Sequence, residues 1–221
     1  MSSFDSIAEE YDQWFDSPEG RAIFETELRC LRSVSPQFEG RWIEIGVGTG
    51  RFAAALGMQE GIDPSAPMIE IAKRRGIHVT PGTAEQIPFP ENAFDGILMA
   101  LTLCFVNDAE KALSECRRVL CPSGRLLLGI IPSDSPWGRE YIRKAGEGHL
   151  IYSLARFRTM EETLKLVKTS GFELIRTASA LFRRPDQKPT AEPDATAGII
   201  PEAGFIGLLF EKRSDHSRKQ P

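Results

Sequence analysis

Residues 41–57 read RWIEIGVGTGRFAAALG, a short apolar run followed by a glycine-rich turn and a helix-forming segment. The apolar, β-favouring residues at its start predict a buried strand. Three glycines follow at alternate positions: Gly46, Gly48 and Gly50. They allow a tight turn and let a ligand approach the backbone, because they carry no Cβ atom. The alanines after them favour a helix that Gly57 ends. A loop that leads into a helix N-terminus presents unpaired N–H groups, so it suits the polar end of a nucleotide-like cofactor.

The glycine spacing distinguishes between classes of cofactor. A dinucleotide-binding loop has the pattern G-x-G-x-x-G. Counted from Gly46, its last glycine would stand where this chain has Arg51. This disfavours a nicotinamide-dependent oxidoreductase. The chain has instead the pattern E-x-G-x-G-x-G, which begins at Glu44. A purely structural turn is the alternative.

A second acidic residue ends the next predicted strand. Asp63 follows Gly61 and Ile62, and Ser65 behind it can cap a helix over residues 66–75. A carboxylate at this position can accept hydrogen bonds from both hydroxyls of a cofactor ribose. Helix capping is the alternative role for Asp63, although Ser65 could already serve it.

Apolar strands alternate with helical segments through the rest of the chain. Strands are predicted over residues 77–80, 92–100, 126–131, 172–182 and 203–210, and helices over residues 107–120 and 159–170. This alternation predicts an α/β fold with a doubly wound, mostly parallel sheet. The ligand crevice of such a sheet lies at the carboxyl ends of its strands. Residues 183–202, rich in proline, are expected to form a mobile loop.

The composition favours one domain with a helical cap. The 221 residues are 41% hydrophobic, which is enough for a full core. We divide the chain into a helical cap (1–34), a cofactor-binding core (41–131), a substrate-side insertion (132–158) and a flexible tail (212–221). Within the cap, Ser17 to Gly20 should break the helical pattern before a second helix over residues 21–31. Tyr11 and Trp14 either pack in the core or line the mouth of the site.

Charge, cysteines and apolar runs limit the function classes. The net charge of -4 makes nucleic acid an unlikely partner. No apolar run reaches the roughly 18 residues that a membrane span needs, and the N-terminus lacks the features of a signal peptide, so we expect a cytoplasmic protein. The four cysteines form no C-x-x-C pair, and we interpret them as reduced core residues with no metal site.

Residues 132–158 show the least regular pattern. Aromatic side chains alternate there with five cations, Arg139, Arg143, Lys144, Arg156 and Arg158. Only Glu140 and Glu147 oppose them after Trp137, which leaves an excess of three positive charges. A basic, aromatic insertion at the carboxyl end of the sheet would suit an acceptor that carries an anionic group. An ordinary solvated surface is the alternative.

Four features together resemble the class I S-adenosylmethionine-dependent methyltransferases of the small-molecule type, similar to those of ubiquinone and menaquinone biosynthesis. They are the E-x-G-x-G-x-G loop, Asp63, the turn Gly82-Thr83-Ala84-Glu85-Gln86-Ile87-Pro88-Phe89, and Phe94-Asp95 before the fourth strand. The resemblance implies a Rossmann-like sheet of seven strands, with the last strand antiparallel between the fifth and sixth. It also implies S-adenosylmethionine as cofactor.

The resemblance assigns the cofactor-binding residues. Glu44 and the three glycines would lie at the amino-acid end of the cofactor, and Asp63 with Pro64 at the ribose. Thr83, Ala84 and Glu85 would lie at the adenine, although Thr83 stands where the family often has aspartate. Met99 and Ala100, at the end of the fourth strand, complete the predicted set.

The implied reaction is direct displacement of the methyl group by an acceptor nucleophile, so alignment and desolvation are the main tasks. The catalytic residues are not identified by sequence. If a general base is needed, His149 and Tyr11 are the candidates. A non-catalytic S-adenosylmethionine-binding regulatory module on the same fold is the alternative function. The acceptor, the methylated element and the oligomeric state are not determined by the sequence.

Overall fold

A computed structural model describes residues 4–35, 37–187 and 194–213 of the chain. The helices are α1 (Ala8–Trp14), α2 (Pro18–Val34), α3 (Arg51–Leu56), α4 (Ala66–Arg74), α5 (Ala109–Val119), α6 (Pro136–Gly146) and α7 (Met160–Thr169), with a 3₁₀ turn at Tyr152–Leu154. The strands are β1 (Trp42–Ile45), β2 (Glu60–Asp63), β3 (His78–Pro81), β4 (Phe94–Ala100), β5 (Leu120–Ile130), β6 (Phe172–Ala180), β7 (Thr196–Ala197) and β8 (Phe205–Lys212). Of the predicted flexible tail (212–221), Lys212 is still part of β8, and residues 214–221 lie outside the described residues.

The strands form one sheet in the order β3-β2-β1-β4-β5-β8-β6-β7. β1 pairs in parallel with β2 and β4, and β4 pairs in parallel with β5. β8 lies antiparallel between β5 and β6, as the resemblance implied for the last strand. The carboxyl ends of β1, β2 and β4 therefore meet at one edge, where a doubly wound sheet binds its ligand.

The prediction of seven strands is wrong, because the described residues form eight. The additional strand is β7, within the segment that the sequence analysis assigned to a mobile loop. It consists of two residues that pair antiparallel with Ala178 and Ser179 of β6. The hydroxyl of Ser179 also donates to the Gly198 carbonyl at 2.8 Å, which fixes this return of the chain.

Two further predictions of local structure are corrected. A break between two helices occurs as predicted, but it covers residues 15–17, and α2 begins at Pro18 and not at Arg21. Ser17 is the N-cap and accepts from the Gly20 N–H, and Pro18 occupies the first helical position. The same arrangement of Ser135 and Pro136 begins α6 inside the segment that we expected to be irregular. Each helix begins with a serine, a proline and, two residues after the proline, a glycine. This composition is also typical of turns, which is why both helix starts were predicted wrongly.

Apolar clusters cover both faces of the sheet. Alternate residues of β4 illustrate the division: Leu98 and Ala100 belong to the cluster beneath α2, whereas Ile97 and Met99 belong to the cluster beneath α5. All four cysteines are free; Cys30 and Cys116 are buried, while Cys104 and Cys121 are only partly buried. Within the described residues, no helix is both long enough and apolar enough to cross a membrane.

Candidate functional site

The three glycines of the loop after β1 have different roles. Their φ angles are 71° at Gly46, 53° at Gly48 and 81° at Gly50, all in the left-handed region. A Cβ atom at Gly46 would lie 2.3 Å from the Thr102 side chain, and one at Gly50 would lie 3.0 Å from Ala72. Only Gly48 has no protein atom within 4 Å of that position. Gly46 and Gly50 therefore serve the conformation and packing of the loop, and Gly48 leaves room for a ligand.

Asp63 holds the open part of this loop. Its Oδ2 accepts from the Gly48 N–H at 2.8 Å, and its Oδ1 accepts from the Ser65 N–H at 2.8 Å. The side chain is buried, and burial raises the pKa of its carboxyl. The helix-capping alternative does not apply to Asp63, since the Ser65 hydroxyl accepts from the Met68 N–H at the start of α4. Asp63 thus lies at the end of β2 with its carboxylate against the glycine loop.

Glu44 is buried under the same loop. The residue is 1% exposed, and its Oε2 has no hydrogen-bond partner in the part of the chain that the structure describes. Burial raises the pKa of the carboxyl well above its usual range, although the Ala53 N–H of α3 opposes this shift. A buried carboxylate oxygen without a donor is costly, so a polar ligand group at this position would stabilise it.

The remaining residues predicted to contact the cofactor differ in their burial and in their hydrogen bonds. Pro64 is exposed at the end of β2, and Ala84 is buried in the turn that Thr83 and Gln86 close. The Glu85 carboxylate accepts from the backbone N–H of Asn107 at 2.7 Å, so it anchors the start of the loop before α5. Contacts of these residues with a cofactor stay predictions.

The side chains of Met99 and Ala100, the last residues of β4, lie on opposite faces of the sheet, and their contact with a cofactor stays a prediction. Met99 is fully buried, and its Sδ lies 3.9 Å from the Sγ of Cys116 on α5. Successive side chains of a strand point to opposite faces, so Met99 belongs to the cluster beneath α5 and Ala100 to the cluster beneath α2. Side chains alternate between the two faces of a strand, so the sequence alone could have assigned Met99 and Ala100 to opposite faces of β4.

Arg51 fastens the helical cap to the glycine loop, a role that the sequence analysis missed. Its Nε donates to Oδ1 of Asp12 at 2.8 Å, and its second terminal nitrogen donates to the Asp12 carbonyl at 2.7 Å. Arg75, directly after α4, donates to Oδ2 of Asp12 at 2.7 Å and to the Thr49 carbonyl at 2.9 Å. These arginines hold the pKa of the Asp12 carboxyl below its usual value, against the effect of burial.

A cavity of about 440 Å³ lies beside the loop, and we call it the acceptor cavity. Its wall comes from α1, α2, residues 101–105 after β4, the end of β5 and residues 141–158. Tyr11 and Trp14 of the cap both line it. That they lie at the mouth of the cofactor site stays a prediction. Thr102 connects the two regions, because its hydroxyl donates to the Gly46 carbonyl at 3.3 Å while its neighbours line the cavity.

The two candidates for a general base differ in setting. Burial and the nearby Glu27 carboxylate raise the pKa of the Tyr11 hydroxyl, so it is neutral at physiological pH. His149 is exposed at the rim of the cavity, where its ring stacks on Tyr152 with centroids 4.2 Å apart. Its Nδ1 accepts a hydrogen bond from the Ile151 N–H at 3.3 Å, so Nε2 is the ring nitrogen that could exchange a proton with an acceptor.

Glu27 also lines the cavity and was missed. The residue lies on α2, is 1% exposed, and has a pKa raised to about 8 by burial. The sequence contained a signal for it: Glu27 lies four residues from Ile23 and four from Leu31, on the apolar face of an amphipathic helix. A carboxylate on that face is unusual and indicates either a partner or a function.

Gly48 offers a test of the loop with a matched control. Gly48→Ala should weaken the binding of S-adenosylhomocysteine about tenfold or more, because the new methyl group would occupy the open space in front of the loop. Gly57→Ala is the control, since Gly57 also has a positive φ of 75° and open space but lies at the far end of α3. Both should cost about 1–2 kcal/mol of stability through left-handed strain. Equal affinities in the two variants, measured by calorimetry, would place the ligand elsewhere.

Comparison with known proteins supports the chemistry of this loop. The family model described as a methyltransferase domain matches residues 43–128, which contain the glycine loop, Asp63 and β4. An uncharacterized protein of Mycobacterium tuberculosis is 39% identical over 211 residues, which cover 93% of this chain and 74% of that relative. The demethylmenaquinone methyltransferase of Thermotoga maritima is 29% identical over 209 residues, covering 79% of this chain and 88% of that protein.

A solved structure agrees over nearly the whole chain. The crystal structure of a SAM-dependent methyltransferase from Thermotoga maritima, described as a possible histamine N-methyltransferase, is 39% identical with a TM-score of 0.87. The match covers 96% of this chain and 99% of that one. The residues present also fit the cofactor, given the open Gly48 and the unpartnered Glu44 oxygen. The chain therefore belongs to the class I S-adenosylmethionine-dependent methyltransferases.

Proposed function

We propose that the protein transfers the methyl group of S-adenosylmethionine to a small molecule bound in the acceptor cavity. The position of residues 101–105 carries this proposal. Thr102 contacts the glycine loop, while Leu101, Leu103 and Cys104 line the cavity next to it. One short segment thus separates the donor side from the acceptor side, which is the arrangement that direct transfer between two bound molecules requires.

The donor side would be held by the residues around the glycine loop. Glu44 and the Gly48 backbone would bind the amino-acid end, Asp63 the ribose, and the turn at Thr83 and Ala84 the adenine. S-adenosylmethionine supplies a methyl group that its sulfonium makes electrophilic, so the protein need not form a covalent intermediate. The chain's own contribution is to align the acceptor and to exclude water. The cap over the cavity, fastened by Arg51, supports that role.

An anionic group on the acceptor is part of the proposal. Of the five cations in residues 132–158, Arg143 and Lys144 pair with Glu140, and Arg139 donates to the Asp134 carbonyl. Arg156 and Arg158 line the acceptor cavity. Each donates to a backbone carbonyl and keeps further N–H groups for a ligand. Their guanidinium groups could bind a carboxylate or phosphate at the rim.

The cavity also favours catalysis over a purely regulatory role. A non-catalytic module would need the donor site alone, whereas this chain places a mostly apolar cavity of drug-like size directly beside it. His149, at the rim, is proposed as a general base for acceptors that must lose a proton. The buried Tyr11 hydroxyl is better suited to donate a hydrogen bond than to remove a proton, given its raised pKa.

Calorimetry and a product assay together test this function. The protein should bind S-adenosylhomocysteine and not NADH, and incubation with S-adenosylmethionine and pooled small molecules should release S-adenosylhomocysteine. Binding without release from any pool would favour the regulatory module. Absence of S-adenosylhomocysteine binding by the folded protein would refute the proposed donor site.

A further inference from the structure

The acceptor cavity contains a buried carboxylate without a charged partner. Glu27 projects from α2 into the cavity wall and is 1% exposed. Its Oε2 accepts no hydrogen bond, and the side chain forms no ion pair, within residues 4–35, 37–187 and 194–213. The two arginines that line the cavity donate instead to the carbonyls of Asn107 and Leu103. Within the described residues, therefore, neither a cation nor a hydrogen-bond donor compensates this carboxylate oxygen.

Aromatic rings surround the carboxylate. Tyr11 comes from α1, Tyr141 from α6 and Tyr152 from the 3₁₀ turn, and all three line the same cavity. Burial raises the pKa of each of their hydroxyls, and the charge of Glu27 adds to this effect. The rings of Tyr141 and Tyr152 stack with centroids 4.1 Å apart. Both faces of Tyr152 are covered, since His149 stacks on it as well. The rings of Tyr11 and Tyr141 and a carboxylate in one cavity provide the chemistry that binds an organic cation.

An uncompensated carboxylate at this position has a cost that a ligand could remove. Burial of a carboxylate away from water is unfavourable unless a charge or donor accompanies it. Burial accordingly raises the pKa of the Glu27 carboxyl to about 8. A protonated amine would supply both a positive charge and N–H donors to the unpartnered oxygen. A carboxylate or phosphate group at the same position would add a second negative charge.

We infer that the group methylated in this cavity is a basic amine, which Glu27 binds among the tyrosines. This inference rests on the proposed function and adds the chemical class of the acceptor. An anionic group bound by Arg156 and Arg158 would be a different part of the same molecule. The amine gives up a proton to the Glu27 carboxylate and attacks with its free electron pair. A carbon–nitrogen bond forms, the carbon–sulfur bond breaks with its electrons remaining on sulfur, and the methylated nitrogen bears the positive charge.

The charge that develops in this step favours nitrogen over oxygen as the acceptor atom. Positive charge grows on an amine nitrogen as the methyl group arrives, and an aromatic face or a hydrogen bond from the nitrogen to a Glu27 oxygen stabilises it. An acceptor that reacts as an oxygen anion would approach the carboxylate with the same sign of charge. Glu27 is thus a catalytic residue for amine methylation and unfavourable for methylation of an oxygen anion.

Matched probes test the inference. The wild-type protein and Glu27→Gln would be incubated with S-adenosylmethionine and one probe at a time: phenethylamine, tryptamine, histamine, 3-phenylpropanoate or 2-phenylethanol. Release of S-adenosylhomocysteine and the mass of the product identify the methylated probe. Glu25→Gln, an exposed position on the same helix, is the control. We expect methylation of at least one amine and of neither oxygen probe, a tenfold or greater loss in Glu27→Gln, and no loss in the control.

The outcomes separate this inference from the function on which it rests. Methylation of the acid or the alcohol in preference to all amines overturns the assignment of Glu27, and so does unchanged amine methylation in Glu27→Gln. Failure of all three amines to react in a protein that binds S-adenosylhomocysteine also overturns it, and the proposed donor site then stands. Should Glu27→Gln prove unstable, the preference of the wild type among the five probes remains decisive.

Discussion

Replacing Glu27 with glutamine is expected to make the folded protein more stable than the wild type above pH 8. Burial raises the pKa of Glu27 from its usual 4.5 to about 8. Between these values the folded chain binds a proton that the unfolded chain does not, so wild-type stability falls as the pH rises through this window. The full effect is about 3–5 kcal/mol at the upper end. Glutamine resembles the neutral carboxyl in shape and does not titrate, so the variant should not share this decrease.

Urea unfolding of both proteins at pH 5, 6.5 and 8.5 measures the difference. The two curves should nearly coincide at pH 5 and separate progressively with rising pH. The Glu27 charge acts on the hydroxyls of Tyr11, Tyr141 and Tyr152 and on the Cys30 thiol, and burial raises the pKa of each, so they remain uncharged throughout this window. The cavity wall also contains Glu10, His149, Arg156 and Arg158, which both proteins share. Glu25→Gln should follow the wild type at every pH. Parallel curves for wild type and Glu27→Gln would show that the carboxylate is compensated in the folded protein.

Loss of the Asp63 carboxylate is expected to weaken cofactor binding by roughly 1.5–3 kcal/mol, about 10- to 100-fold in affinity. Two effects contribute. The carboxylate holds the N–H groups of Gly48 and Ser65, each at 2.8 Å, and thereby fixes the open part of the loop. In the proposed donor site it also accepts hydrogen bonds from the ribose. Asp63→Asn preserves the size of the side chain but presents an NH₂ group to one of these donors.

Calorimetry with S-adenosylhomocysteine and with its 2′-deoxyribose analogue separates these effects. If Asp63 binds the ribose, the wild type should prefer the natural ligand, and Asp63→Asn should lose most of that preference. A variant that binds both ligands weakly but keeps the wild-type ratio would limit Asp63 to supporting the loop. Ser65→Ala, which removes the cap of α4 without touching the carboxylate, is the matched control. Unchanged affinity in folded Asp63→Asn would exclude Asp63 from the site.

The strands and helices that the sequence predicted correctly are those whose signals are local. β1 with its glycine loop, the Ser65 cap and the Thr159–Glu162 capping box each depend on residues within a few positions of one another. The wrong predictions of secondary structure fall into two groups. In one, a local sequence pattern fits two structures, and in the other, a strand forms only by pairing with residues far away in the chain. A proline after a serine can begin a helix, as at Pro136, and also form a turn. The two residues of β7 become a strand only through Ala178 and Ser179.

The difference between local and distant signals also applies to the site, where the cofactor side was predicted and the acceptor cavity was not. The proposed donor side is built from β1, the glycine loop and the end of β2, all within residues 42–63. A local pattern and the family resemblance it carries therefore indicated Glu44, Gly48 and Asp63. The acceptor side is assembled from segments more than one hundred residues apart, such as Tyr11 with Tyr152, and no local pattern brings them together. The bonds between Arg51 and Asp12 span 39 positions, and the sequence analysis used Arg51 only as evidence against a dinucleotide.

Replacing helix α1 with the corresponding helix of a related protein would not be a simple way to change which acceptor the cavity binds. It contributes Tyr11 and Trp14 to the cavity, yet Arg51 and Arg75 bind it from the donor side through Asp12. A transplanted helix would have to match those two arginines, or the graft would loosen the methyl-donor loop as well. Residues 141–158 line the cavity without joining that ionic cluster. They are therefore the segment to diversify first in a library that seeks new acceptors while retaining the donor.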